Sequence, residues 1–176
     1  MLALVVGYLP VPTATASQEF AAISDTGKFP TFPLRIGAYQ RGKIHTYTSD
    51  DHSVGYERYD STLQNVVTLY FYPVAQSIEA QYSSEKREIL SVHSGSALLS
   101  ERQSSIEKNG VTYQAFIATF QFDGVFAGQQ QVISSQLVLV ALPDHFFKVR
   151  SSSPVSQAAV AEASMLQLLK EVSWAY

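Results

Sequence analysis

The chain runs to 176 residues, 46% of them hydrophobic and only 15% charged, with a formal net charge of −3 and no cysteine. That length suits one domain with a sizeable core, and the slight acidity offers no basic field for a phosphate backbone, so nucleic acid is not expected as a partner. Without cysteine there is no disulfide, no thiolate nucleophile and no Cys-ligated zinc or iron–sulfur site.

The opening segment, MLALVVGYLPVPTATASQ, carries an apolar run over residues 2–9, then prolines, then Ala14-Thr15-Ala16. Small residues at Ala14 and Ala16 are what a signal peptidase needs to cleave before Ser17. No Lys or Arg stands before Lys28 to make the usual positive start of a signal. Residues 1–16 are therefore read as a signal peptide or an apolar tail, and residues 17–176 as a single domain. The apolar run is well short of the roughly 20 residues of a spanning helix, so no transmembrane anchor is expected. The expected location is periplasmic or secreted.

After the prolines near residue 30, the alternation of Leu34, Ile36 and Ala38 predicts a first strand that continues to about Tyr47. The loop TSDDH turns the chain into a second strand through Val54, Tyr56 and Arg58. The third, VVTLYFYPV, is apolar on both faces: Val67, Leu69 and Phe71 on one, Val66, Thr68, Tyr70 and Tyr72 on the other. Such a strand belongs in the middle of a sheet with both sides covered. Pro73 ends it, and a helix is expected at once, with Ala75, Ile78, Tyr82, Ile89 and Val92 at helical spacing and Glu85 interrupting them. Gly95 suits the residue just past a helix end, which closes this helix near His93.

Asn109-Gly110 then lies between two strand-like runs, a strong hairpin signal. A two-residue turn there pairs Leu99 with Phe120 and Ala97 with Phe122 on one face, and Ile106 with Tyr113 on the other. The stretch DGVFAG reads as a loop, QQVISSQLVLVAL as the next strand, and HFFKVRSS as its partner after Pro143-Asp144. Ser153-Pro154 is expected to open a last helix, with Ser as cap and Pro in its first turn. Its apolar stripe is Val155, Ala159, Ala163, Leu166 and Leu169 or Val172, closing with Trp174. The expected class is α+β: an antiparallel sheet of about six to seven strands with two main helices packed on it.

With this order of elements, the segments RIGAYQRG, VGY, TLYFYP and HFFKVRSSSP resemble those of uncharacterised bacterial exported proteins with a PsbP-like fold. That fold is shared by the extrinsic oxygen-evolving-complex proteins of photosystem II and a Ran-binding nuclear-transport factor. The resemblance covers roughly residues 32–174. It implies a binding or assembly module, and no manganese-, calcium- or Ran-binding residue carries over, because no such motif is matched.

Two constellations carry candidate chemistry. His45, Asp50, Asp51 and His52 are of the types that ligate divalent metals, but their spacing matches no known signature and an Asp-Asp-His turn is ordinarily a solvated loop. On this basis a metal-dependent hydrolase using residues 50–52 is kept as the alternative function, and no metal or other cofactor is assigned. The second is HFFKVR, where Phe146, Lys148 and Arg150 share one strand face and could hold an anionic ligand or a partner's carboxylate; the plainer reading is an edge strand protected by charge. Tyr70 and Tyr72 join them as binding candidates, against core packing with hydroxyls at the rim. His93 reads as a helix cap, and Glu85 and Glu88, flanking Lys86 and Arg87, as a wet helix face. No GxSxG elbow, GxGxxG or complete phosphate-loop motif occurs, and no catalytic residue is assigned. The leading expectation is an exported non-catalytic binding or assembly module, its partner an unknown protein or a small anionic ligand.

Overall fold

The computed structural model describes residues 30–93 and 95–174. The expected cleavage before Ser17 lies outside the described residues. Among the described residues, eight strands form one open antiparallel sheet: β1 (Arg35–Ile36), β2 (Tyr39–Thr48), β3 (Asp51–Tyr59), β4 (Gln64–Pro73), β5 (Ala97–Lys108), β6 (Val111–Phe126), β7 (Gln129–Ala141) and β8 (His145–Pro154). Helix α1 (Ile78–Val92) follows β4, and α2 (Ala158–Glu171) follows β8 through a short 3-10 turn. Their order across the sheet is β1-β2-β3-β4-β8-β7-β6-β5.

This corrects the expected α+β, PsbP-like sheet of six to seven strands under two helices. The molecule is mostly sheet, and each short helix covers only part of one face. The first expected strand is two, because Gly37 (φ 55) turns the chain so that Ile36 pairs with Tyr39. The expected loop DGVFAG is strand, since β6 runs on to Phe126 and the turn moves to Ala127-Gly128, φ 51 and 79. Gly124 provides space there, not a bend: a Cβ would stand 2.9 Å from Ile133 Cδ1.

The topology dictates where the helices go. β4 lies at the centre and β5 at an edge, so the connection through α1 has to cross the sheet. Ile78, Tyr82 and Ile89 of α1 pack on Ala118, Phe120, Leu137, Leu139 and Phe146. The opposite face carries α2, whose Met165, Leu168 and Leu169, with Val172 and Trp174 beyond it, cover Val67, Leu69, Phe71, Phe147 and Val149. Trp174 stacks on Phe147 with centroids 5.0 Å apart, and its indole N–H donates to the Leu169 carbonyl at 2.9 Å. Among the described residues, no helix is long and apolar enough to cross a membrane.

Local differences have local causes. Ser77 caps α1 by accepting from the Ala80 N–H, so the helix starts at Ile78 and not directly after Pro73. Ile106 does pair with Tyr113, but a bulge at Leu99 shifts the far half of the hairpin, pairing Leu98 with Phe120. Ser153 and Pro154 remain in β8, and α2 begins at Ala158 with no side-chain cap. That later start rotates the buried stripe to Ala161, Met165, Leu168 and Leu169, leaving Val155 and Leu166 exposed.

Candidate functional site

β4 and β8 pair antiparallel with Tyr70 opposite Lys148 and Thr68 opposite Arg150. Alternation along each strand puts Tyr70, Tyr72, Phe146, Lys148 and Arg150 on the α1 face. All five sequence candidates thus lie on two neighbouring central strands, not on an edge.

They do not share one role. Phe146 is buried in the core beneath α1. Lys148 is tied to Glu85 of α1, its Nζ 2.9 Å from Oε2, and lies 4.2 Å from the centre of the Tyr70 ring. The Tyr72 hydroxyl donates to Glu85 Oε1 at 3.0 Å, and Gln81 Nε2 donates to the same oxygen at 2.9 Å. Burial, then the Glu85 charge, holds the Tyr72 phenol far above its ordinary value. Glu85 is therefore no wet-face residue: its side chain is 7% exposed, and its charge is met by one ammonium and two donors.

Arg150 is different. Its Nη2 donates to Ser135 Oγ at 3.1 Å, while its Nε is buried with no hydrogen-bond partner. Burial lowers its pKa from the usual arginine value, opposed by Tyr70, Glu85 and Glu88. Burial raises the Tyr70 phenol, with Arg150 acting against it. Two strands along the same register row there is open space at Gly55. Gly55 pairs with Thr68, which pairs with Arg150, and nothing lies within 4 Å of where a Gly55 Cβ would stand. Tyr47 reaches over from β2, its hydroxyl 3.1 Å from Ser53 Oγ. The candidate cleft is this register row: Gly55 and Thr68 in line with Arg150, and Tyr70 one row along beside Lys148.

The loop at residues 50–52 makes no comparable site. Ser49 and Asp50 form the turn, Asp50 Oδ1 accepting from the hydroxyls of Thr48 and Ser49. His52 is buried, with Nδ1 3.1 Å from Thr46 Oγ1 and Nε2 3.1 Å from the Ser49 carbonyl. Among the described residues, no group of three or more His, Asp or Glu is placed to hold a metal ion. His93 ends α1 with its ring stacked on Phe122 at 3.8 Å. Burial, then Arg150, lowers its pKa.

Motif-like spacings in the chain are accounted for by ordinary packing. Gly37, Gly42 and Lys43 match a phosphate loop except that Ile44 replaces its Ser or Thr; Gly42 and Lys43 lie in β2, not before a helix. Ser83 and Lys86 on α1, and Ser105 and Lys108 on β5, have S-x-x-K spacing, but Lys86 bonds Glu101 of β5 and Lys108 donates to the Lys170 carbonyl. The signal that sequence reasoning missed is Glu85 itself. A lone acid on an otherwise apolar helix stripe calls for a buried cation, and β8 supplies it.

No family model matches the chain, and no curated protein matches it. Among solved structures, it is similar to a Pseudomonas aeruginosa protein of unknown function, PA94, at 10% identity and a TM-score of 0.49, over 77% of this chain and 96% of that one.

Proposed function

We propose that the chain is an exported, non-catalytic binding module that receives an anionic group, from a small ligand or a partner protein, in the cleft beside Arg150. The observation that supports this reading most is the unequal treatment of two neighbouring cations. Lys148 has a full counter-charge in Glu85, whereas Arg150 has one neutral hydroxyl partner and a buried Nε with none. An incompletely met buried charge is costly. Binding sites commonly retain such a cost because the ligand relieves it.

The test is a thermal melt of wild type and Arg150→Met with added sodium acetate at constant ionic strength. Wild type should gain stability with acetate and the variant should not, while the variant without acetate melts no lower than wild type. An equal acetate response in both would overturn the proposal. His93 supplies a second readout. Its folded pKa is depressed, so its contribution is present above the unfolded value near 6.5 and lost as pH falls through the folded value. Because Arg150 contributes to that depression, filling the site should raise the His93 pKa in an NMR titration. Export has its own check: protein from the cell envelope should begin at Ser17, and intact Met1 would overturn it.

A further inference from the structure

We infer that the anion taken beside Arg150 is a singly charged carboxylate and not a phosphate, an inference that rests on the binding reading above. Charge is the first argument. Arg150 and Lys148 face Glu85 and Glu88 on α1, and Asp51 of β3 acts on the same cluster through Tyr72. Glu85 already matches Lys148, which leaves Arg150 a single charge to offer, so a second negative charge on the ligand would meet acids on the helix wall.

Donor geometry is the second. Phosphate sites draw on backbone N–H groups at helix N-termini or in glycine-rich nests. Here the Thr68, Arg150 and Leu137 backbones lie within the sheet ladder. The part of α1 that faces Arg150 is its C-terminal half, the negative end of the dipole. What remains is a planar guanidinium, which suits the planar fork of a carboxylate.

Space is the third. In the register row Gly55, Thr68, Arg150, the missing side chain at Gly55 leaves room for a ligand body to lie flat. The Tyr70 ring, one row along beside Lys148, forms its side. A free organic acid and a peptide chain end both offer this chemistry.

Titration calorimetry with sodium benzoate and with inorganic phosphate, at pH 7.5 and constant ionic strength, tests the inference. Benzoate should bind at least roughly tenfold more tightly than phosphate, the effect of about one unfavourable charge at partly screened range. Arg150→Lys, which keeps the charge but not the fork, should lose most of that preference. Gly55→Val should weaken benzoate binding while leaving the melting curve near wild type. A tripeptide with a free C-terminus, set beside its amide, separates the two sources, and the tighter carboxylate names the ligand. Phosphate binding as tight as benzoate, and lost in Arg150→Met, would overturn the carboxylate inference while leaving the binding site standing. Failure of both anions to bind, or benzoate binding untouched by Arg150→Met, would overturn both.

Discussion

Lys148 and Glu85 sit under α1 with side chains 14% and 7% exposed, which makes them the most consequential polar contact between helix and sheet. Removing one partner strands the other charge in a dry site, whereas replacing both with apolar groups does not. Lys148→Met should therefore cost about 3–5 kcal/mol, and Glu85→Leu with Lys148→Met together clearly less than the sum of the single changes. Urea unfolding of the double-mutant cycle checks this; additive losses would mean the pair is not coupled. Tyr72→Phe belongs to the same network. It removes a hydroxyl that donates to a carboxylate, so roughly 1.5–3 kcal/mol is expected.

The two long hairpins turn the same way on different residues. Asn109-Gly110 has φ 53 and 76, and Ala127-Gly128 has φ 51 and 79, the positive pair of a type I′ turn. Asn tolerates the left-handed region, while alanine suffers the clash of its Cβ with the following carbonyl. Ala127→Asn should accordingly raise stability by about 0.5–1 kcal/mol, and Gly110→Val should lower it by about 1–2 kcal/mol. Melting temperatures moving in opposite directions would bear this out; an Ala127→Asn variant no more stable than wild type would count against the turn. β5 shows a different element-level property. Glu101 and Glu107 lie on its α1 face, Arg102 and Lys108 on its α2 face, as their contacts with Lys86, Glu162 and the end of α2 require. A second β5 brought antiparallel across the two-fold of this edge keeps each face with itself, so acids meet acids and bases meet bases. That is an effective guard for a long exposed edge.

At the scale of the whole molecule, the chain leaves the centre of the sheet at β4, crosses it as α1, and returns strand by strand from the far edge to β8. β4 and β8 thereby become the spine on which both faces depend. Phe71, at 0% exposure in the α2-side core and stacked on His145 at 4.3 Å, is in the thick of it. Phe71→Ala should cost about 3–5 kcal/mol, whereas Leu99→Ala, at a bulge and 57% exposed, should stay within about 0.5 kcal/mol. Denaturant midpoints separate the two, and comparable losses would contradict this division of the core.

What the sequence by itself determined is what short-range sterics and a two-residue period decide. Which helix covers Leu69 and Phe71 was a matter of topology, but the Asn109-Gly110 turn, the end of β4 at Pro73 and the burial of those two side chains needed no more than local residues. So did the placing of Trp174 in the core. The Ala127-Gly128 turn stayed hidden because alanine is no turn marker, while Asp123-Gly124, which is one, continues as strand to make room for Ile133. The phase of α2 depended on where β8 chose to stop pairing with β7, a property of the sheet and not of the helix. The site depended most on the tertiary structure. Glu85 and Lys148 stand 63 residues apart in the chain, and no local pattern states that one charge will cancel the other. Only when β8 pairs with β4 under α1 does Lys148 become neutralised and Arg150 the cation left for a ligand, because electrostatic compensation acts through space and the sheet alone decides which charges are near.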